Sequence, residues 1–447
     1  MTNAKDRLLT GLEQDLKALP MIDCHTHLNP KHLSSRGLHD ILLYHMAISE
    51  LHSAGCPIGT RLSDDADEKE ITNRIEEALP FLDKVMNTSI MWGIRIILSE
   101  LYDWHEPITS KNWRKLHAII GEHAAEASWP RKVMRNCNVI RASTEWFLRG
   151  DGSYDDLFDY SLEWAFFSRT QQNQNDIPLY ELENTWQMEQ ASPALPVTLK
   201  NRPSVAMPVN NVEDVHAAVE HYCRLIPYGK VVSTAQHIST DIDYRKVSED
   251  EMAETIRNRQ DATTYDRDIY ASYILRAFLE KLEKHGREIV YQFSLGAEPV
   301  GDGTGSRLAQ KTIQQLGEII ASCPRLHFQC MLASRHGNQS LCTLARELPN
   351  LSLAGYWWHN FFPDIIRQII SERLDMLPIN KQVGFFSDAY CVEWQYAKAK
   401  IVRRILAESL AEKICRGQYS YEQAVAISGY ILKDTAEQLL GMKKKSH

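Results

Sequence analysis

The chain has 447 residues, 44% of them hydrophobic and 24% charged, which is the composition of a globular protein long enough for one large core or two smaller ones. A formal net charge of -8 excludes a chain-wide basic footprint for nucleic acid; the one basic run, Lys443-Lys444-Lys445, reads as a solvated tail. Nine scattered cysteines without a CxxC pair exclude a disulfide framework and point to reduced thiols. With a polar, helix-like start from Met1 to Lys17 and no apolar run of about 18 residues, a cytoplasmic protein without membrane contact is expected.

The first apolar run, Leu19-Pro20-Met21-Ile22-Asp23, leads into Cys24-His25-Thr26-His27 and then Asn29-Pro30. This predicts a buried strand that stops at a functional loop, so that residues 1–30 form an N-terminal helix and a first strand. From Lys31 to about Pro130 the spacing turns helical, over Asp40 to Leu51, Glu68 to Met86 and Asn112 to Glu126. Residues 31–130 therefore read as an inserted helical subdomain, with no linker to bracket it as an independent unit.

Over 131–447 short apolar runs return. They are Val139 to Ser143, Ser204 to Pro208, Val231 to Ala235, Glu288 to Phe293, Leu326 to Met331, Leu351 to Gly355 and Val383 to Phe386. Amphipathic helices such as Tyr270 to His285, Leu308 to Ser322 and Asp364 to Leu377 lie between them. Counting the first run, eight alternating units of the α/β class predict a closed (β/α)8 barrel of the TIM type, with an open parallel sheet as the alternative. Ala397 to Leu440 reads as helix that closes the last unit and packs outside the barrel.

His25-Thr26-His27 carries the sharpest chemical signal. Residues two apart on a strand point to one side, and two imidazoles at the mouth of a barrel strand suit a divalent metal such as zinc. Asp388, in Ser387-Asp388-Ala389 after the eighth run, lies beside the first strand in a closed barrel. It can ligate the same metal or act as a base; the alternative is an N-cap for the helix from Glu393 onward. His237, after the fourth run, is a candidate ligand, substrate contact or proton carrier. Trp358 and His359 could wall a pocket, Arg335 or His336 could bind an anionic group, and His45 could reach over the mouth from the insertion.

In this arrangement the chain resembles the amidohydrolase superfamily, and within it the uronate (glucuronate) isomerase family, as a divergent member. The resemblance rests on Asp23-Cys24-His25-Thr26-His27-Leu28, a long helical insertion, Tyr44-His45, Arg335, Gly355-Tyr356-Trp357-Trp358 and Phe386-Ser387-Asp388-Ala389, in the family's order. It implies an aldose–ketose isomerisation of a hexuronate such as glucuronate or galacturonate, by proton transfer through a cis-enediol. It also implies one metal on His25, His27 and Asp388, with His45 as the histidine of the insertion. The departures are Met46 where the family has a tyrosine, Tyr390 where it has an arginine, Pro208 at another arginine, and Ser294 at the strand-five histidine.

Two other readings stand beside this one. A mononuclear metal-dependent hydrolase can occupy the same scaffold, since Lys230 lies at the wrong end of the fourth strand to bridge a second metal. A non-catalytic protein that binds a sugar acid is the third. The expected partner is a small sugar acid, and the insertion offers a surface for a homo-oligomer.

Overall fold

The computed structural model describes residues 2–59, 62–63, 65–144, 154, 156–163, 209–226, 228, 231–258, 264–286, 288–296, 308–356 and 361–441. Eight parallel strands follow one another around the sheet in chain order. They are β1 Met21–Thr26, β2 Val139–Thr144, β3 Phe158–Glu163, β4 Val231–Ile238, β5 Val290–Leu295, β6 His327–Leu332, β7 Leu351–Ala354 and β8 Gln382–Val383. Adjacent strands pair from β1 through β8.

The remaining seam is closed by backbone hydrogen bonds just beyond β8. Cys24 N–H donates to Phe385 O (3.2 Å), Asp388 N–H to His25 O (3.2 Å) and His27 N–H to Ala389 O (3.0 Å). The result is the (β/α)8 barrel that the alternation of apolar runs predicted. Its lumen is filled by Ile22, Cys24, Val290, Met331, Ala354, Val383 and Phe386. Above this layer Gln292 Nε2 donates to Gln329 Oε1 (2.8 Å) and to Cys24 O (3.3 Å), which meets part of the hydrogen-bonding need of these two buried amides.

Two expectations are corrected. The third strand is Phe158–Glu163, whereas Ser204 to Pro208 lies outside the described residues. The final segment does not simply pack outside the barrel. The helix Val392–Cys415 does, but the chain then returns, and Ala436 and Leu440 join the lumen residues Ile22, Val290 and Val383 at the N-terminal end of the strands. Gly384 N–H donates to Ile431 O (2.8 Å), fastening this plug to the strand it covers.

Seven α-helices lie between β1 and β2: Leu38–Leu42, His45–Ser53, Glu68–Ala78, Leu82–Val85, Ser89–Tyr102, Trp113–Ala124 and Trp129–Asn136. Asp67 and Thr88 cap two of them by accepting from Glu70 N–H (2.7 Å) and Met91 N–H (3.2 Å). The apolar faces of these helices share one core with the 392–415 helix, including Ile94, Ile97, Trp129, Trp394 and Ile401. All nine cysteines are unpaired, eight buried and Cys415 exposed. Among the described residues no helix is long and apolar enough to cross a membrane.

A buried carboxylate ties the insertion to the barrel. Glu393 is fully buried and accepts four hydrogen bonds: Ser35 N–H (2.9 Å), Ser35 Oγ (3.0 Å), Tyr102 OH (3.0 Å) and Trp129 Nε1 (2.8 Å). A carboxylate in an apolar interior is tolerable only when its lone pairs are met in this way. In Glu393→Gln an amide N–H₂ must face donors that need an acceptor. Unfolding in urea is expected to show a loss of about 2 kcal/mol; an unchanged midpoint would show that the four bonds contribute nothing net.

Candidate metal centre

The site grows out of the seam. β1 delivers His25 and His27 at its C-terminal end, and the segment after β8 delivers Asp388 against them. The two imidazole centroids are 5.1 Å apart with the rings nearly perpendicular at 86°. His27 Nε2 lies 3.0 Å from Asp388 Oδ1, and His25 Nε2 lies 3.9 Å from the same oxygen. One ligand atom from each of the three residues falls within 4.8 Å of the others. Three donors at ordinary zinc distances in tetrahedral array lie roughly 3.3 Å apart, and neutral imidazole plus carboxylate is a normal zinc donor set. The residues therefore fit a divalent metal.

Asp388 is not the helix cap that Ser387-Asp388 could have supplied. The following helix starts at Val392, and its N-cap is Cys391. Instead Asp388 adopts φ +54°, the left-handed region that non-glycine residues avoid at a cost of order 1 kcal/mol. Strain of this kind persists only where neighbours impose it. Here they do: Ala389 N–H donates to Ser387 Oγ (3.2 Å) and Tyr44 OH donates to Asp388 O (3.0 Å). Below it, buried Asp23 accepts Ser387 N–H (2.8 Å) and Gln395 Nε2 (2.8 Å). Burial still pushes the Asp23 carboxyl up to about 6, against the pull of those bonds. Burial would raise Asp388 too, but the hydrogen bond from His27 and the charges of His27, Lys398 and His25 outweigh it. They hold its carboxyl well below the usual range, so it is ionised at neutral pH.

Aromatic rings seat the ligands. Phe386 meets His25 edge-on at 5.2 Å, and Tyr390 stacks on His27 at 4.8 Å and 19°. Phe386 in turn packs over Gly355, whose φ is +52° and whose pro-Cβ position is 2.7 Å from the Phe386 ring. Both its conformation and the close approach require glycine. Arg373 fixes this corner by donating to Gly355 O (2.8 Å).

A cavity of about 110 Å³ opens beside His27. His32, His39, Tyr44, His45 and Tyr390 line it with His27. His45 and Tyr390 are therefore brought to the centre, with ring centroids 5.4 Å apart. Arg36 also lines the cavity, but its charge is met by Asp40 through Nε and Nη2, both at 2.9 Å. Met46 packs against the insertion core.

The other sequence candidates do not line this cavity. His237 and Ser294 pair in register at the C-terminal ends of β4 and β5, level with Met331 of β6, on the lumen side that Val290 and Met331 define. Arg335 and His336 are exposed after β6, and Arg335 donates to Gln368 Oε1 (3.3 Å). Neither lines the cavity. Trp357, Trp358, His359 and Pro208 lie outside the described residues. The sequence reading missed Lys398, whose buried ammonium reaches Tyr44 OH (2.8 Å) and the carbonyls of Ser387 and Asp388. It also missed the cavity residues His32, Arg36, His39 and Asp40.

No protein-family model matches the chain, and no curated protein matches it in sequence. Solved structures do. A glucuronate isomerase from Caulobacter crescentus superposes with a TM-score of 0.77 at 14% identity, over 99% of this chain and 95% of that one. A uronate isomerase from Thermotoga maritima gives 0.76 at 13% identity, over 97% of each chain. One from Bacillus halodurans C-125 gives 0.68 at 18% identity, over 98% of this chain and 97% of that one. The chain has the uronate isomerase fold. Barrel, helical insertion and C-terminal helices are all included in that likeness, since it runs nearly end to end.

Two measurements check the centre within this uronate isomerase fold. Zinc titration by calorimetry should give one ion per chain, weakened by at least roughly a hundredfold in His25→Ala, His27→Ala and Asp388→Asn, since each removes a ligand. Burial pushes the His237 imidazole down to about 4. Between about pH 6.5 and 4 the unfolded chain therefore binds a proton at His237 that the folded chain refuses, so this residue contributes a loss of stability as pH drops through that window, opposed by buried Asp23, which takes up a proton in the folded chain first. His237→Gln should flatten this fall in urea unfolding; an identical pH dependence would contradict the assignment.

Proposed function

We propose that this protein is a metal-dependent aldose–ketose isomerase acting on a hexuronate, glucuronate or galacturonate, or on a closely related sugar acid. The observation that carries the reading is the convergence of His25, His27 and Asp388 at the C-terminal mouth of a barrel with the uronate isomerase fold. His45 on the adjoining cavity supports it. Zinc suits the donor set, and manganese or iron would also be accepted by it. A divalent ion held by His25, His27 and Asp388 would supply Lewis-acid polarisation of a substrate carbonyl.

The chain's own residues do the rest. The His45 imidazole takes the proton from C2 and returns it to C1. Asp388, ionised and itself one of the three candidate ligands, passes the hydroxyl proton from O2 to O1. The C1 carbonyl becomes an alcohol and C2 becomes the ketone, with no net gain or loss of hydrogen. Tyr390, stacked on His27, forms a flat wall of the cavity and offers its hydroxyl where the family has an arginine. The nine free thiols support a cytoplasmic setting.

Tyr390 and Met46 also support a second reading. Without an arginine at 390 the two-pronged grip on a substrate carboxylate is lost at that point, and without a tyrosine at 46 so is an acid–base group. A mononuclear hydrolase on the same metal would need neither. The test is a single preparation with one bound zinc, assayed on D-glucuronate and D-galacturonate and on a panel of amides and lactones. Isomerisation is expected, lowered by roughly 10²–10⁴-fold in His45→Gln with zinc retained. Zinc without isomerisation but with release of acid or ammonia would establish the hydrolase; zinc without any turnover would leave a sugar-acid-binding protein.

A further inference from the structure

Lys398 is fully buried on the inner face of the 392–415 helix. An ammonium has three protons to donate, and each here has an acceptor: Tyr44 OH at 2.8 Å, Ser387 O, and Asp388 O at 3.5 Å. The Tyr44 hydroxyl accepts from Lys398 and passes its own proton to Asp388 O at 3.0 Å. The ring faces of Phe361 and Tyr44 flank the charge at 4.6 and 5.0 Å. These bonds grip both carbonyls on either side of the Asp388 nitrogen and α-carbon, where the backbone is left-handed. Tyr44 directly precedes His45, so the same ammonium also fixes where the insertion presents that histidine to the cavity.

We infer that Lys398 and Tyr44 are positioning residues that hold Asp388 in its ligating conformation and dock the His45 segment beside it. The inference rests on the reading of His25, His27 and Asp388 as a metal centre. Lys398 does not line the cavity, and Tyr44 lines it with its hydroxyl engaged by Lys398 and Asp388 O. Lys398 acts through the main chain of Asp388.

The test compares zinc affinity with thermal stability in the full chain. Lys398→Met keeps the length and apolar stem but removes all three donors, and it should weaken zinc binding by roughly 10–100-fold in protein that still melts cooperatively. Lys413→Met is the control. Lys413 is buried on the same helix but bonds Asp375 (2.6 Å), and neither belongs to the centre or lines the cavity, so its variant should lower the melting temperature and leave zinc affinity unchanged. Tyr44→Phe removes one hydroxyl, keeps the ring and should weaken zinc by a smaller factor. It decides the matter if Lys398→Met does not fold.

Wild-type zinc affinity in folded Lys398→Met or in Tyr44→Phe overturns the inference, as does an equal loss in Lys413→Met. A wild-type chain that binds no zinc overturns the metal centre itself. That result is distinct from a chain that binds zinc and is indifferent to residues 398 and 44.

Discussion

Three backbone hydrogen bonds, between residues 24–27 and 385–389, are the constraint on which the rest of the site depends. They join the two ends of an eight-stranded sheet whose last strand, β8, is only two residues long. They also set the register at which Asp388 meets His25 and His27. One bond, from Asp388 N–H to His25 O, links a candidate ligand on β1 directly to the one on the segment after β8. Closing the barrel and assembling the centre are therefore a single structural event. A slip of one residue along this seam would carry Asp388 away from both imidazoles, because alternate residues face opposite sides.

The 392–415 helix converts that event into a stable arrangement by carrying two buried charges of opposite sign, five residues apart. Glu393 collects donors from the loop after β1 and from two helices of the insertion. Lys398 supplies donors to the Asp388 turn and to Tyr44. Isolated, either charge would be costly to bury; each is offset by a nearly complete set of hydrogen bonds. Gln395, on the same helix, adds a bond to Asp23 below the ligands. One helix thus orients the seam, the insertion and the carboxylate ligand together, and the cavity lies where the three meet.

Much of this was legible in the sequence. The His25-Thr26-His27 pair declared itself through strand alternation, and Asp388 through its place after the last apolar run. Seven of the eight apolar runs that predict strands overlap strands, the last at Val383 alone. The third failed because Phe158–Glu163 carries Asp159, whose charge hides the strand; in the fold it is met by Arg141 of the neighbouring β2, with Nε at 2.6 Å from Oδ2. Lys398 and Glu393 were invisible for a different reason. On a helix, a charge that will be buried is written like one that will face water, and their partners lie tens to hundreds of residues away. The final plug was misplaced because an amphipathic segment reveals that it has an apolar face and not which surface will cover it.

The fold does not fix the reaction, and the residues around the centre carry that question. Met46 and Tyr390 stand where the resemblance would place a tyrosine and an arginine, while the candidate ligands His25, His27 and Asp388 are brought together. The central claim, that barrel closure builds a centre from His25, His27 and Asp388, is tested most directly by a crystal structure of the zinc-loaded protein with anomalous scattering at the zinc edge. The account predicts a single strong peak at about 2.0–2.2 Å from one atom of each residue. A peak elsewhere, or one that leaves Asp388 unligated, would contradict it.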